Sequence, residues 1–140
     1  GVTVSDYSDV KLSLQSNSVK TVISGVSEIK LNGKTASLDL DVSGSSNVEA
    51  NMDSNSVNVD VSSVSTVKLS GMTDGLKAKI SGSSELAAYS LTARNADVKI
   101  NGVSKAKITV TDSLGYEVTG YSDLKYKGNP KIYKAIKDEL

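Results

Sequence analysis

Seven copies of one short phrase run down the chain, and they constrain its fold more than any other feature. Each copy places a small polar residue three positions before a Ser that opens an alternating charged–apolar run. Examples are Ser24-Gly25-Val26-Ser27-Glu28-Ile29-Lys30-Leu31 and Ser43-Gly44-Ser45-Ser46-Asn47-Val48-Glu49-Ala50. The other copies begin at Ser5, Ser62, Ser81, Asn101 and Thr119, so successive starts fall 19, 19, 19, 19, 20 and 18 residues apart. A near-fixed period of this length with local alternation marks a solenoid, in which each repeat is one turn of chain laid on the turn before.

Stacking the copies yields columns. The variable position reads Tyr7, Val26, Ser45, Val64, Ser83, Val103, Tyr121, and the next is Ser throughout: Ser8, Ser27, Ser46, Ser65, Ser84, Ser104, Ser122. Two apolar columns follow, Val10, Ile29, Val48, Val67, Leu86, Ala106, Leu124 and Leu12, Leu31, Ala50, Leu69, Ala88, Ile108, Tyr126, with polar residues between them. That period of two is a strand with one buried and one wet face.

A second alternating run closes each repeat, as in Leu38-Asp39-Leu40-Asp41-Val42 and Val57-Asn58-Val59-Asp60-Val61. The expected rung is therefore two strands joined by turns rich in Gly, Ser, Asn and Asp. Helix is disfavoured by the Val, Ile, Ser, Thr, Asn and Gly content. A β-sandwich would not need position n to match position n+19. The fold expected is all-β: a single-stranded parallel β-helix (β-solenoid) of about seven rungs of 18–20 residues, filling residues 1–140 as one domain. Because 19 is not a multiple of six, the hexapeptide pattern of left-handed β-helices is absent and a right-handed coil is favoured.

Composition narrows function. Sixteen basic and sixteen acidic residues cancel, so no net field draws nucleic acid or an anionic membrane. Hydrophobic residues make up 38% with no Phe or Trp, too few large side chains for a spherical core but enough for rungs that share inward aliphatics. The lack of Cys removes disulfides, thiol catalysis and zinc–thiolate sites. No apolar run reaches the roughly 20 residues of a membrane-spanning helix. The chain begins at Gly1 with no apolar signal core, as a chain trimmed of a leader, or one carrying a tag scar, would.

The Ser-Gly-x-Ser-x-apolar repeat and the closing segment Tyr126-Lys127-Gly128-Asn129-Pro130-Lys131-Ile132 resemble the auto-transporter adhesin head domain (head GIN domain) family of Bacteroidetes and related bacteria. The resemblance spans nearly the whole chain and implies a right-handed β-helix exported to the periplasm or cell surface, without a catalytic signature. The longer N-terminal module that many members carry has no counterpart in this chain. Ser5-Asp6, Ser62-Ser63 and Asn101-Gly102 depart from Ser-Gly. Against that background the terminal Lys137-Asp138-Glu139-Leu140, the letters of an endoplasmic-reticulum retention signal, reads as coincidence.

Four constellations could carry chemistry. The Ser column is either a hydroxyl array for ice or glycan or, as favoured here, a set of corner residues bonding turn backbone. It is no set of nucleophiles, since the chain has no His to activate one. The outward charges Asp9, Glu28, Glu85, Lys105, Asp123 and Lys11, Lys30, Glu49, Lys68, Lys107, Lys125 form a wall of mixed sign. Asp39, Asp41, Asn58 and Asp60 should stack on the outer face of the second strand. They are the candidate metal (calcium) ligands, although a flat sheet rarely supplies six to eight oxygens, and Lys77 and Lys79 one rung on would balance them. Late tyrosines Tyr116, Tyr121 and Tyr133 are candidate ligand-binding residues; with Tyr126 and Pro130 they equally suit a C-terminal cap over about residues 126–140. The tail Ile132, Tyr133, Ile136, Leu140 permits a helical spacing or a last irregular strand.

No cofactor and no catalytic residue is expected. The function expected is a non-catalytic exported domain, extracellular, cell-surface or periplasmic. It would act as an adhesin-like binding or spacer module whose partner is a surface glycan or protein. Alternatives are a carbohydrate-active β-helical enzyme, which would need a carboxylate-lined groove and a basic proton acceptor where Arg94 is the only Arg, and a scaffold that self-associates through its N-terminal rung.

Overall fold

The computed structural model describes residues 2–4, 7–62 and 64–138. Gly1, Ser5, Asp6, Ser63, Glu139 and Leu140 lie outside the described residues, and with them the first phrase's opening pair and the end of the tail. The described chain is strand throughout: β1 (Val2–Val4), β2 (Tyr7–Ile23), β3 (Val26–Val42), β4 (Asn47–Val61), β5 (Thr66–Ile80), β6 (Glu85–Ile100), β7 (Lys105–Thr119), β8 (Asp123–Lys127) and β9 (Lys131–Asp138). Each pairs with the next in parallel, except that β9 returns to pair with β7 beside β8. Six full rungs, a seventh split between β8 and β9, and the short β1 make the β-solenoid that the repeat period predicts. Among the described residues no helix is long and apolar enough to cross a membrane.

The register is the sequence period made visible. Ile29 lies opposite Val48 and Val48 opposite Val67, each 19 residues on. The 20-residue spacing enters as a slip between Lys68 and Ser70, and further slips between Ala88 and Thr92 and between Ala93 and Asn95 bring β7 back to an offset of 18. One expectation needs correcting. A rung is not two strands separated by a turn but one long strand that stays paired through its bend, with Asn32, Gly33, Lys34 and Thr35 all in register with β4. The bend keeps most of its ladder because the rungs above and below bend at the same place, so backbone groups there find partners on the neighbouring rungs. Only the last rung is cut in two, at Gly128-Asn129-Pro130, where Pro130 has no N–H to give.

Two walls enclose one apolar core. Under the first wall lie Ile29, Val48, Val67 and Leu86, each at most 1% exposed; under the second lie Val42, Val61, Ile80 and Ile100, equally hidden. Among the described residues thirty buried apolar side chains form a single cluster. Val10, Leu12 and Leu124 only half-bury against it, as terminal rungs with a neighbour on one side must. Tyr126 occupies an apolar column opposite Ile108 yet is 40% exposed for the same reason. Of the two forms open to the tail, the strand is what forms: β9 extends the second wall, leaving Ile132, Tyr133 and Ile136 exposed.

The Gly-x-Ser corner explains why the phrase is so constant. Gly25, Gly44, Gly82, Gly102 and Gly120 have φ between 72° and 78°, a left-handed conformation that Gly adopts without strain. They also stack backbone on backbone: a Cβ on Gly44 would stand 2.3 Å from the Gly25 carbonyl oxygen. The Ser after the variable position turns inward and is buried in five rungs, Ser27, Ser46, Ser65, Ser84 and Ser104. Ser104 Oγ donates to the Asn101 and Gly82 carbonyls, both at 3.1 Å, and accepts from the Ser84 N–H at 3.4 Å. Ser46 and Ser65 donate in the same manner to their own corner and to the one before. The hydroxyl column is internal mortar.

Candidate functional site

With the Ser column spent inside, the outward chemistry lies on the walls. Nearer the ends of the first wall like charges meet, Asp9 opposite Glu28, Lys11 opposite Lys30 and Lys107 opposite Lys125. In its middle rungs acid and base alternate, Lys30 opposite Glu49 and Glu49 opposite Lys68, and Lys30 Nζ reaches Glu49 at 3.9 Å. Both partners are near half-exposed, so such a pair contributes no more than about 1 kcal/mol.

The second wall is arranged differently. Its outer face carries two charged columns, Lys20, Asp39, Asn58, Lys77, Asp97, Gly115 and Asp41, Asp60, Lys79, Lys99, Glu117. Signs are grouped: Asp41 stands opposite Asp60, and Lys79 opposite Lys99. Between the columns runs a furrow of about 480 Å³, floored by the chain at Leu40, Val59 and Ala78 and closed at the far end by Glu117 and Lys134. Asn58 Nδ2 donates to Asp39 Oδ1 at 2.8 Å. Lys99 and Lys134 both reach Glu117 at 3.7 Å. No ion pair among the described residues closes between Asp60 and Lys79 or between Asp97 and Lys77, although each pair is in register.

The four metal candidates are thus neighbours, as the repeat requires. Asp39 is engaged by Asn58, and among the described residues no three acidic, His or Cys side chains gather closely enough to hold an ion. Lys77 and Lys79 stand where charge balance places them but do not touch the carboxylates.

The three tyrosine candidates do not converge. Tyr116 faces the core, opposite Val98, and is half-buried there. Tyr121 stands at the corner, 73% exposed, at the end of a line of outward apolar residues, Val26, Val64 and Val103. Tyr133 sits on the outer face of the second wall. A register slip between Leu114 and Gly115 lets β9 carry one extra residue there, and the ring lies across bare Gly115, where a Cβ would come within 2.5 Å of Cζ. Partial burial, and then the charge of Asp97, push the Tyr133 phenol above its ordinary range. Elsewhere Lys127 Nζ lies 4.4 Å from the centre of the Tyr89 ring, a cation–π contact tying the last rung to β6.

Beside the furrow, on the other side of Asn58, Lys77 and Asp97, lies a hollow of about 380 Å³ walled by Tyr133, Asn95 and Gly75. Sequence reading passed over Gly75, Asn95, Asp97 and Gly115. The usable signal was in the columns: two glycines interrupt positions that other rungs fill with polar side chains. A broader polar groove, about 800 Å³, crosses the far bend past Asp53, Met72, Asp74 and Arg94.

A family model described as "Putative auto-transporter adhesin, head GIN domain" matches residues 1–52 and 37–130. The two matches overlap, as repeats permit, and β9 lies beyond them. Among solved structures the chain is similar to a "Putative lipid binding protein" from Parabacteroides distasonis, at 19% identity and a TM-score of 0.61. The likeness covers 100% of this chain, which spans 59% of that one; at this identity it is a likeness of fold. No curated protein matches the sequence.

Proposed function

The chain belongs to the "putative auto-transporter adhesin, head GIN domain" family, and from that premise we propose that it is an exported, non-catalytic binding module that recognises a surface ligand on the outer face of its second wall. The observation that carries this reading is the grouping of charge along the furrow. Stacked like charges about 4.8 Å apart cost stability, and the middle rungs of the first wall avoid that cost by alternating Lys30, Glu49 and Lys68. The middle rungs of the second wall keep Asp41 beside Asp60 and Lys79 beside Lys99. Among the described residues Asp41, Asp60 and Lys79 close no ion pair, which leaves them ready for a partner with charges of its own. The lack of His and Cys leaves no imidazole or thiolate to activate a nucleophile, which supports binding over catalysis. The lipid-binding description of the structural neighbour points the same way. The family's description supports export.

The test is adhesion. The labelled chain is applied to bacterial envelope fractions and a glycan array, beside the Lys79→Glu, Lys99→Glu double variant and a first-wall Lys30→Glu, Lys68→Glu control. Saturable binding lost only in the second-wall variant is expected. Equal binding by both variants, or none by the parent chain, overturns the reading.

A further inference from the structure

We propose that the hollow beside Tyr133 binds a zwitterion in which an alkylammonium and a phosphodiester are joined by a short linker, the head-group chemistry of phosphocholine and phosphoethanolamine. This rests on the binding-module reading above and names the ligand class. Four observations carry it.

The first is room kept open. Gly75 is not among the glycines with left-handed φ, and a Cβ built on it meets nothing within 4 Å. Neither backbone nor packing requires a glycine there, and a bare strand position is where a ligand can approach the main chain. The hollow, about 380 Å³, is of small-ligand size.

The second is a cation pole. The Tyr133 ring is held across Gly115 with Asp97 close enough to raise its phenol pKa. An aromatic face beside a carboxylate is the arrangement that attracts a quaternary or primary ammonium. The third is an anion pole: Lys77 stands opposite Asp97 one rung away without closing an ion pair to it. On its other side the register places Asn58, an amide and not a carboxylate. A phosphodiester there meets an ammonium and the second N–H of the Asn58 amide, whose first N–H is given to Asp39 at 2.8 Å.

The fourth is spacing. The two poles are one rung apart, roughly 4.8 Å, close to the reach of an ammonium two methylenes from a phosphodiester. A lone cation would be opposed by Lys77 and a lone anion by Asp97, so the hollow selects for both charges in one molecule. Asn95 is fixed at the rim by donating to the Asp74 carbonyl at 3.3 Å and accepting from Ser113 Oγ, which holds the wall in place before a ligand arrives.

The experiment titrates the intact chain with glycerophosphocholine by calorimetry and amide NMR, with choline alone and glycerol phosphate alone as half-ligands. Saturable binding with shifts at Gly75, Lys77, Asp97 and Tyr133 is expected, and about tenfold or greater weakening for either half-ligand. Tyr133→Ala and Gly75→Leu should abolish binding at an unchanged melting temperature, whereas Tyr133→Phe and the first-wall Glu49→Gln retain it. Co-sedimentation with phosphatidylcholine vesicles, lost in Tyr133→Ala, would assign the head group to lipid. Binding of the soluble diester without co-sedimentation would assign it to a non-bilayer source, and either result supports the site. No saturable shift with glycerophosphocholine, or equal affinity in Gly75→Leu, overturns the proposal. Envelope binding that persists while glycerophosphocholine is ignored would refute the hollow and leave the binding-module reading standing.

Discussion

The Gly-x-Ser corner and the bend opposite it turn the chain the same number of times, yet they do so by opposite means. At the corner one solution recurs: a left-handed Gly in five rungs, with an inward Ser and carbonyls shared between neighbours. At the bend each rung improvises. Thr35 and Thr73 donate to carbonyls two residues on, at 3.0 and 3.1 Å, while Ser54 between them is buried with no partner for its Oγ among the described residues. Met72 stands exposed with its N–H held by Asp53, and the register slips lie nearby. The corner is where the stack is specified; the bend and the second wall beside it are where sequence is free to vary, and the furrow, the hollow beside Tyr133 and the broad polar groove lie there.

Substitutions in matched pairs can break that comparison. The largest effect is expected from glycine. Gly44→Ala places a Cβ against the Gly25 carbonyl at a left-handed φ and should cost roughly 3 kcal/mol or more. Gly75→Ala adds a methyl to open space and should stay within about 0.5 kcal/mol of the parent. Urea melts of both measure the contrast, and equal losses would erase it.

Serine gives a smaller, signed difference. Ser65→Ala removes a buried hydroxyl that donates to Gly44 and Ser62 and should destabilise by about 1–2 kcal/mol. Ser54→Ala removes a buried hydroxyl with no described partner, so it should be neutral or stabilising. A loss at Ser54 as large as at Ser65 would mean that the bend is satisfied in a way its geometry does not display.

The smallest effect is a titration. The Tyr133 phenol, raised by burial and then by Asp97, should lose its proton above the ordinary tyrosine range of about 10. Because the folded value lies above the unfolded one, the linked stability is present below pH 10 and fades as pH rises through the folded value. The ultraviolet difference between parent and Tyr133→Phe isolates this group from the other tyrosines. Asp97→Asn should move its midpoint down; an unmoved midpoint would separate Asp97 from the ring.

How far sequence reaches can be stated residue by residue. The spacing of Ile29, Val48, Val67 and Leu86 determined the parallel stack and its inward face, because a period of 19 leaves stacking as the way to align those columns, and alternation decides which side chains face in. It also determined the Ser corner, since Gly followed two places on by Ser meets the needs of a left-handed turn with unpaired carbonyls. Tertiary structure alone decided the rest. The continuous ladder through Gly33 and Thr35 depends on the neighbouring rungs bending in step. Tyr133 reaches Asp97, 36 residues earlier, only because β9 slips by one residue opposite Gly115. The openness at Gly75 is a property of what fails to surround it. A repeat encodes contacts between equivalent positions; contacts between non-equivalent ones arise where the repeat is broken, and only the packed chain shows which breaks face each other.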